Sequence, residues 1–279
     1  LDYISNVLPE LGVGGIEQTT FSEWALNVLD ENLKIVNDQV SQDWFTVGGP
    51  PLPVDQAPGR IKGSVDFKTW MSTCMETYIQ NSVPNSDFEA ADGQKLQVET
   101  IRNWFYQEYT HYPPAKRRVR VINRIKRWIE IQQKDIAETK RQKDFKKKAN
   151  QRLRTYLKKW PDYTPLTFYK MLLTESSYLD HRPEALTPSL IKTSLCNLKH
   201  NTITRNDLAP LIHIHNFFNG IEGKFHHVVI DEAQDTSPFQ IALLKDMTLS
   251  HSFTILGDLS QGIHDYKGIL RWEEFSQLF

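Results

Sequence analysis

The sequence has little cysteine and no long apolar run. Cys74 and Cys196 are the only two cysteines among 279 residues, and their spacing fits no metal site. No apolar segment approaches the roughly 20 residues of a membrane-spanning helix, and no signal peptide is recognisable. These absences argue against membrane and disulfide-rich secreted proteins. They predict a cytoplasmic protein in which both cysteines are buried packing residues.

The sequence also lacks a phosphate loop of the form G-x-x-x-x-G-K-[ST]. The stretches "DGQKLQ" and "EGKFHH" have neither the spacing nor the hydroxyl residue, and "GVGGIE" has no lysine. A complete phosphate cradle is therefore excluded within these 279 residues.

Charge is distributed unevenly, although the formal net charge is only −1. Residues 115–159 contain 18 Lys and Arg against 4 Asp and Glu, whereas the rest contains 15 basic and 30 acidic residues. Such a split is typical of a polyanion-binding element on an acidic body, and the alternative is a solvated helix face. The densest basic positions, which we take as candidate contacts to nucleic acid or an acidic partner, are Arg117, Arg118, Lys146, Lys147 and Lys148.

Apolar spacing predicts helices over most of the chain. Thr20 and Glu23 have the spacing of a capping box, and "TVGGPPLPVDQAPG" predicts a loop or linker. The basic segment opens at Pro113-Pro114 and has no further Gly or Pro until Pro161. It predicts an extended helical arm, either one helix of about 70 Å or a helix that breaks near "QQKD" or "KKKAN".

Strand signals occur only near the end of the sequence. "FHHVVID" and "SFTILGD" predict strands, and "SPFQIALLKDM" predicts a helix between them. This β-α-β order predicts a parallel pair. Asp231 and Glu232 follow the first strand and Asp258 follows the second, so all three carboxylates should meet at one sheet edge, where ligands collect. A magnesium–nucleotide site needs such acids, and the alternative is solvated acids that cap the next helix.

The stretches "VVIDEAQDTSPFQ" and "TILGDLSQGI" together resemble motifs II and III of superfamily 1 helicases of the UvrD/Rep group. The resemblance implies that Asp231 and Glu232 bind Mg²⁺, with Glu232 as the general base. It implies that Gln261 senses the γ-phosphate of ATP, and that Gln234 and Asp258 support nucleotide binding.

The next stretch, "IHDYKGI", resembles the part of these helicases that contacts single-stranded DNA, with changes. His264 stands where a tyrosine is usual, Tyr266 takes the base-stacking position and Lys267 takes that of a phosphate-contacting arginine. Stacking on Tyr266 is chemically sound, and the alternative is that this ring packs against its own domain.

The start of the sequence is similar to HelD-type helicase-like proteins, which associate with bacterial RNA polymerase. "LDYISNVLPELG" and "QTTFSEW" look like the segment that runs through motif Ib of that group, which makes Thr20 a candidate nucleic-acid contact. The resemblance implies an α/β fold: a partial RecA-like parallel-sheet core of the P-loop NTPase type, without its phosphate loop, with a large and mostly α-helical inserted domain. We expect residues 1–40 and 206–279 to form the core and residues 41–205 the insertion with its basic arm.

The implied function is that of an ATP- and Mg²⁺-dependent superfamily 1 protein that acts on nucleic acid or remodels RNA polymerase complexes. The sequence is expected to be an internal piece of a longer ATPase, inactive alone because it lacks the phosphate loop and a second motor domain. The alternatives are a processive UvrD-type DNA helicase, a non-enzymatic binding module carried by the insertion, and a metal-dependent nuclease built on the acids.

Overall fold

A computed structural model describes residues 17–37, 53–221, 223–262 and 267–278, and over these ranges the chain is mostly helical with small sheets. In chain order the helices are α1 (Phe21–Leu29), α2 (Pro58–Lys62), α3 (Val65–Asn81), α4 (Val98–Asn103), α5 (Pro114–Lys134), α6 (Thr139–Lys158), α7 (Pro165–Leu172), α8 (Ser176–Leu179), α9 (Pro188–Asn197), α10 (Leu208–Asn219), α11 (Pro238–Asp246) and α12 (Glu273–Ser276). The strands are β1 (Lys34–Ile35), β2 (Phe88–Glu89), β3 (Lys95–Leu96), β4 (Thr202–Ile203), β5 (Val228–Ile230) and β6 (Phe253–Ile255). Among the helices so described, none is long and apolar enough to cross a membrane.

Local sequence signals set many of the helix starts. The predicted capping box is confirmed, because the Thr20 hydroxyl accepts a hydrogen bond from Glu23 N while the Glu23 carboxylate accepts one from Thr20 N. A hydroxyl side chain at this position satisfies an amide that has no partner within the helix. The same kind of cap, often followed by proline at the first helical position, starts α3, α7, α9 and α11.

The β-α-β prediction is confirmed. Strands β5 and β6 pair in parallel, with Val228 opposite Phe253 and Ile230 opposite Ile255, and α11 lies between them in sequence. A second parallel pair joins β1 to β4, across about 165 residues of sequence. In addition, α1 packs against α10, so the early and late parts of the described chain lie together.

Two hydrophobic cores contain most of the buried apolar side chains among the described residues. The larger includes Trp24 of α1, Phe67 of α3, Leu172 of α7 and Leu211 of α10. The second runs from Val83 to Trp160 and is built on α5, α6 and the β2–β3 hairpin. The larger core thus contains residues from before, within and after the range 41–205. The division into a core of residues 1–40 and 206–279 and an insertion of residues 41–205 remains a prediction.

The basic segment is a helical hairpin, so the straight arm of about 70 Å is wrong and the break near "QQKD" is confirmed. Helix α5 ends at Lys134 and α6 begins at Thr139. The helices run antiparallel, since Arg118 near the start of α5 contacts Trp160 beyond the end of α6, and Glu130 lies near Lys146. Ile125 and Phe145 are buried between them, and apolar burial favours this packing over one extended helix. Trp128, Tyr156 and Trp160 pack in the same core.

The prediction for the cysteines is right for one and wrong for the other. Cys74 is buried in the larger core, and burial raises the pKa of its thiol to about 11. Cys196 is exposed, because α9 buries Ile191 and Ser194 and turns Cys196 toward solvent.

Candidate functional site

The carboxyl ends of β5 and β6 lie side by side because the two strands are parallel. Leu256 N donates to Ile230 O (2.8 Å), and Ala233 N donates to Leu256 O (2.9 Å), so pairing continues past both strands. Asp231 and Glu232 therefore leave the sheet next to the turn that contains Asp258. The sequence predicted that the ends of these two strands would lie at one edge of the sheet.

Glu232 has a backbone conformation that few non-glycine residues adopt. Its φ is 51° and its ψ 44°, in the left-handed region, which costs on the order of 1–2 kcal/mol for an L-residue. Glu232 N donates to the Asp231 carboxylate (2.9 Å), which holds this turn. Both carboxylates are exposed to solvent, so the turn presents two acids where a soluble ligand can reach them.

The buried amide of Gln234 joins the two strand ends. Gln234 is only 4 % exposed to solvent. Its Nε2 donates to Glu232 Oε2 (2.6 Å), and its Oε1 accepts from Asp258 N (3.1 Å). Gly257 makes room for this amide, since a Cβ at Gly257 would lie 2.5 Å from Gln234 Oε1. The position of Glu232 is thereby tied to the turn after β6.

Asp258 extends the chain of hydrogen bonds to Gln261. One Asp258 oxygen accepts from Ser260 N (2.9 Å) and the other from Gln261 Nε2 (3.0 Å). These donors lower the pKa of the Asp258 carboxyl and favour its ionised form. Glu232, Gln234, Asp258 and Gln261 therefore form one connected set, which we call the amide relay.

Arg60 of α2 fastens the segment beyond the amide relay, a role that the sequence did not suggest. Ile269 N donates to Gln234 O (3.1 Å), and the backbone approach at Gly268 is so close that a Cβ would lie 1.9 Å from Gln234 O. Arg60 donates to Gly268 O and forms an ion pair with Glu274 (2.9 Å). Arg60 lies more than 200 residues from Gly268 and Glu274 in sequence. No local sequence pattern therefore predicts these contacts.

The candidate contacts after β6 can be followed only in part. His264 and Tyr266 lie outside the described residues. Lys267 is half-buried; burial lowers the pKa of its ammonium, an effect opposed by Asp235 and reinforced by Arg205. Thr20 lies on the exposed side of α1, where its hydroxyl serves as the helix cap.

The five basic candidates of the hairpin are not brought together. Arg117 donates to the carbonyls of Tyr112 (2.5 Å) and Thr110 (2.7 Å), and Arg118 donates to Trp160 O and pairs with Asp162. Both guanidinium groups thus serve the fold of the chain. Lys146 lies 4.0 Å from Glu130, and Lys147 and Lys148 are exposed.

A buried ion pair that the sequence did not predict joins the last residue of α2 to the residue just before α10. Lys62 Nζ is 2.6 Å from Asp207 Oδ1, with the two residues 3 % and 0 % exposed. Tyr169 Oη donates to the same carboxylate oxygen (3.2 Å), and the other accepts from Thr204 N and Oγ1. The carboxylate therefore has four donors, as a buried charge requires.

Comparison with known proteins identifies a family. The profile of the UvrD/REP helicase N-terminal domain matches residues 16–270, which is most of the chain. The match includes the amide relay, Arg60 and both helices of the hairpin. No curated protein sequence matches the chain significantly.

Proposed function

Since the chain belongs to the UvrD/REP helicase family, we propose that the ends of β5 and β6 are the hydrolysis side of a superfamily 1 ATPase site on a RecA-like core. The observation that carries this proposal is the buried Gln234 amide. It binds Glu232 at the end of one strand and the Asp258 turn at the end of the next. A solvated strand end that only caps a helix needs no such link, whereas a site that must hold a base in register with a neighbouring turn does.

The residues present fit a magnesium–nucleotide complex. Among the described residues no group of three or more His, Cys, Asp and Glu is arranged to hold a metal by itself. Mg²⁺ is commonly held by one or two carboxylates together with water and nucleotide phosphates, and the exposed Asp231 and Glu232 supply such oxygens. When bound, Mg²⁺ with ATP would supply charge neutralisation at the phosphates.

Asp231 and the side chains of the amide relay then each have a role. Asp231 would take the metal's water shell, and Glu232 would accept the proton of the attacking water. Gln234 positions the Glu232 carboxylate by donating to one of its oxygens, leaving the other available. Gln261, which donates to the ionised Asp258, would report the state of the γ-phosphate to the segment that includes Lys267.

The finer function that we propose is that of a HelD-type protein. ATP hydrolysis would be coupled to action on single-stranded DNA or to the release of RNA polymerase from its complexes in the cytoplasm. The sequence resemblance at "QTTFSEW" and "GDLSQGIHDYKGI" supports this assignment. In this proposal residues 1–40 and 206–279 belong to the motor domain, and residues 41–205 form the insertion with its basic hairpin.

Two assays on a longer polypeptide that includes the phosphate loop would separate this proposal from a processive helicase. The first measures unwinding of a tailed DNA duplex, and the second measures ATP-dependent release of RNA polymerase from a stalled complex. We expect release without processive unwinding. Processive unwinding without release would instead assign the protein to the UvrD-type helicases.

The 279-residue chain alone is predicted to show no ATP turnover above background. It has the acids of the relay but no phosphate-loop lysine, and these act as a unit in P-loop enzymes. Phosphate release at saturating ATP and Mg²⁺ would be compared for the wild-type chain and its Glu232→Gln variant. Turnover that depends on Glu232 in this chain would refute the prediction.

A further inference from the structure

The guanidinium group of Arg60 holds the segment after β6 at two points. One terminal nitrogen donates to Gly268 O, and the other lies 2.9 Å from a carboxylate oxygen of Glu274. The second oxygen of Glu274 accepts from Leu270 N (2.8 Å) and Arg271 N (3.2 Å). A guanidinium group carries its donors in a rigid fork, so one side chain fixes a carbonyl and a carboxylate together. We call the contacts among Arg60, Gly268 and Glu274 the arginine clamp.

The clamped segment lies against the backbone of Gln234. Ile269 N, next to the clamped carbonyl, donates to Gln234 O (3.1 Å). The Gln234 side chain in turn donates to the Glu232 carboxylate (2.6 Å). Three hydrogen bonds in series therefore connect Arg60 to Glu232, through Gly268 and Ile269 and then through Gln234.

Helix α2, which carries Arg60, is itself fixed to two other parts of the fold. Lys62 pairs with the buried Asp207. Gly63, the residue after the helix, accepts through its carbonyl from Phe239 N (2.8 Å) in the first turn of α11. Arg60 thus has a fixed position relative to the helix that follows the acids of the site.

We propose that Arg60 is a positioning residue for ATP hydrolysis, which rests on the function proposed for Glu232. The arginine clamp keeps the Gln234 backbone in place, and the Gln234 amide keeps Glu232 in its left-handed conformation. Such a conformation is strained and persists only where its surroundings hold it. Without the clamp, Glu232 would keep its carboxylate and lose its alignment with the attacking water. A misplacement of about 1 Å can lower a rate about 100-fold.

The first test measures ATP hydrolysis and binding of a fluorescent ATP analogue with Mg²⁺, on a polypeptide that combines this chain with a phosphate loop. Arg60→Gln is expected to lower kcat about 10- to 100-fold, while the Kd of the analogue changes less than about threefold, because the clamp acts on the reaction step. A clamp that only stabilised the fold would lower the midpoint of thermal unfolding and leave kcat of the folded protein unchanged.

The matched control is Arg182→Gln. Arg182 also donates to two acceptors, the carbonyls of Leu179 (2.9 Å) and Leu186 (3.0 Å), which lie at the end of α8 and shortly after it. The control loses the same side chain and the same kind of contact, and it should keep the kcat and Kd of wild type.

The other half of the clamp gives a second variant. Glu274→Gln removes the charge that pairs with Arg60 and keeps an oxygen for the backbone of residues 270 and 271. It should lower kcat less than Arg60→Gln does. The double variant should have the kcat of Arg60→Gln alone, because the two residues share one ion pair. Losses that multiply would show that the two residues act separately and would overturn the clamp.

Hydrogen exchange tests the clamp in the 279-residue chain without nucleotide. The backbone amides of residues 267–272 are followed by mass spectrometry, with those of residues 121–129 in the second core as reference. Arg60→Gln should accelerate exchange at 267–272 at least about tenfold, since hydrogen bonds from charged donors are among the stronger ones, and leave 121–129 unchanged. Unchanged exchange at 267–272, or equal acceleration in both regions, would overturn the proposal.

Glu232→Gln is assayed in parallel so that two kinds of failure can be told apart. Turnover that persists in Glu232→Gln would overturn the proposed function and the role of Arg60 together. Loss of turnover in Glu232→Gln with wild-type turnover in Arg60→Gln would overturn the role of Arg60 alone. A loss of nucleotide binding in Arg60→Gln as large as its loss of kcat would also overturn that role.

Discussion

Glu232→Gln is expected to abolish ATP turnover by a polypeptide that combines this chain with a phosphate loop, while nucleotide binding stays nearly normal. The amide has the size of the carboxylate and can no longer accept the proton of the attacking water. A general base contributes on the order of 10²–10⁴-fold to rate, so kcat should fall at least about 100-fold. Mg²⁺-dependent binding of a fluorescent ATP analogue should change less than threefold.

The matched control is Glu99→Gln, which alters an exposed glutamate of α4. It should leave both kcat and nucleotide binding unchanged. A Glu232→Gln enzyme with kcat within threefold of wild type would remove Glu232 from the role of base. A collapse of binding together with kcat would instead identify Glu232 as a determinant of nucleotide affinity.

Asp231→Asn is expected to produce the complementary phenotype. In the proposed role the Asp231 carboxylate holds the metal's water shell, so its replacement should weaken nucleotide binding in the presence of Mg²⁺ and leave binding in EDTA unaffected. Titration with the same fluorescent analogue in the two buffers measures the difference. Equal weakening in both buffers would show that Asp231 supports the fold of the turn and does not act through the metal.

The sequence predicted the features that rest on local patterns. The Thr20 cap, the strand–helix–strand unit at residues 226–258 and the meeting of Glu232 with the Asp258 turn depend on neighbours in sequence or on the general geometry of parallel strands. The break in the basic segment was harder to place, because apolar spacing alone does not distinguish one long helix from two that fold back on each other.

The contacts that sequence reasoning missed all join distant segments. Arg60 binds Gly268 and Glu274, and Lys62 binds Asp207, yet both arginine and lysine are ordinary residues at the end of a short helix. Their partners are fixed only when α2 is packed against the turn at residues 205–207 and against the segment after β6. The exposed Cys196 has the same explanation, since which face of α9 is buried depends on what the helix packs against.

Asp207→Ala is expected to be the most destabilising single change outside the apolar core. It would leave the Lys62 ammonium buried without its counter-charge, at a cost of about 3–5 kcal/mol. For a chain of this size that lowers the midpoint of thermal unfolding by roughly 10 °C. The control is Glu89→Ala, which removes a partner from the exposed ion pair with Lys95 (2.7 Å). Exposed pairs contribute little, and the midpoint of that variant should match wild type.

A double-mutant cycle distinguishes loss of the ion pair from loss of packing. Asp207→Asn keeps an oxygen that can accept from Thr204, and Lys62→Met keeps the length of the side chain without its charge. Each single change leaves one buried charge uncompensated, whereas the double change leaves none. The double variant should therefore unfold at a temperature no lower than either single variant, which is strong non-additivity for residues in contact. Additive losses would show that the two residues stabilise the chain independently.

Because Arg60 lies on the same short helix as Lys62, loosening of α2 should also release Gly268. The turn that holds Gln234 would then lose its support before the main core unfolds.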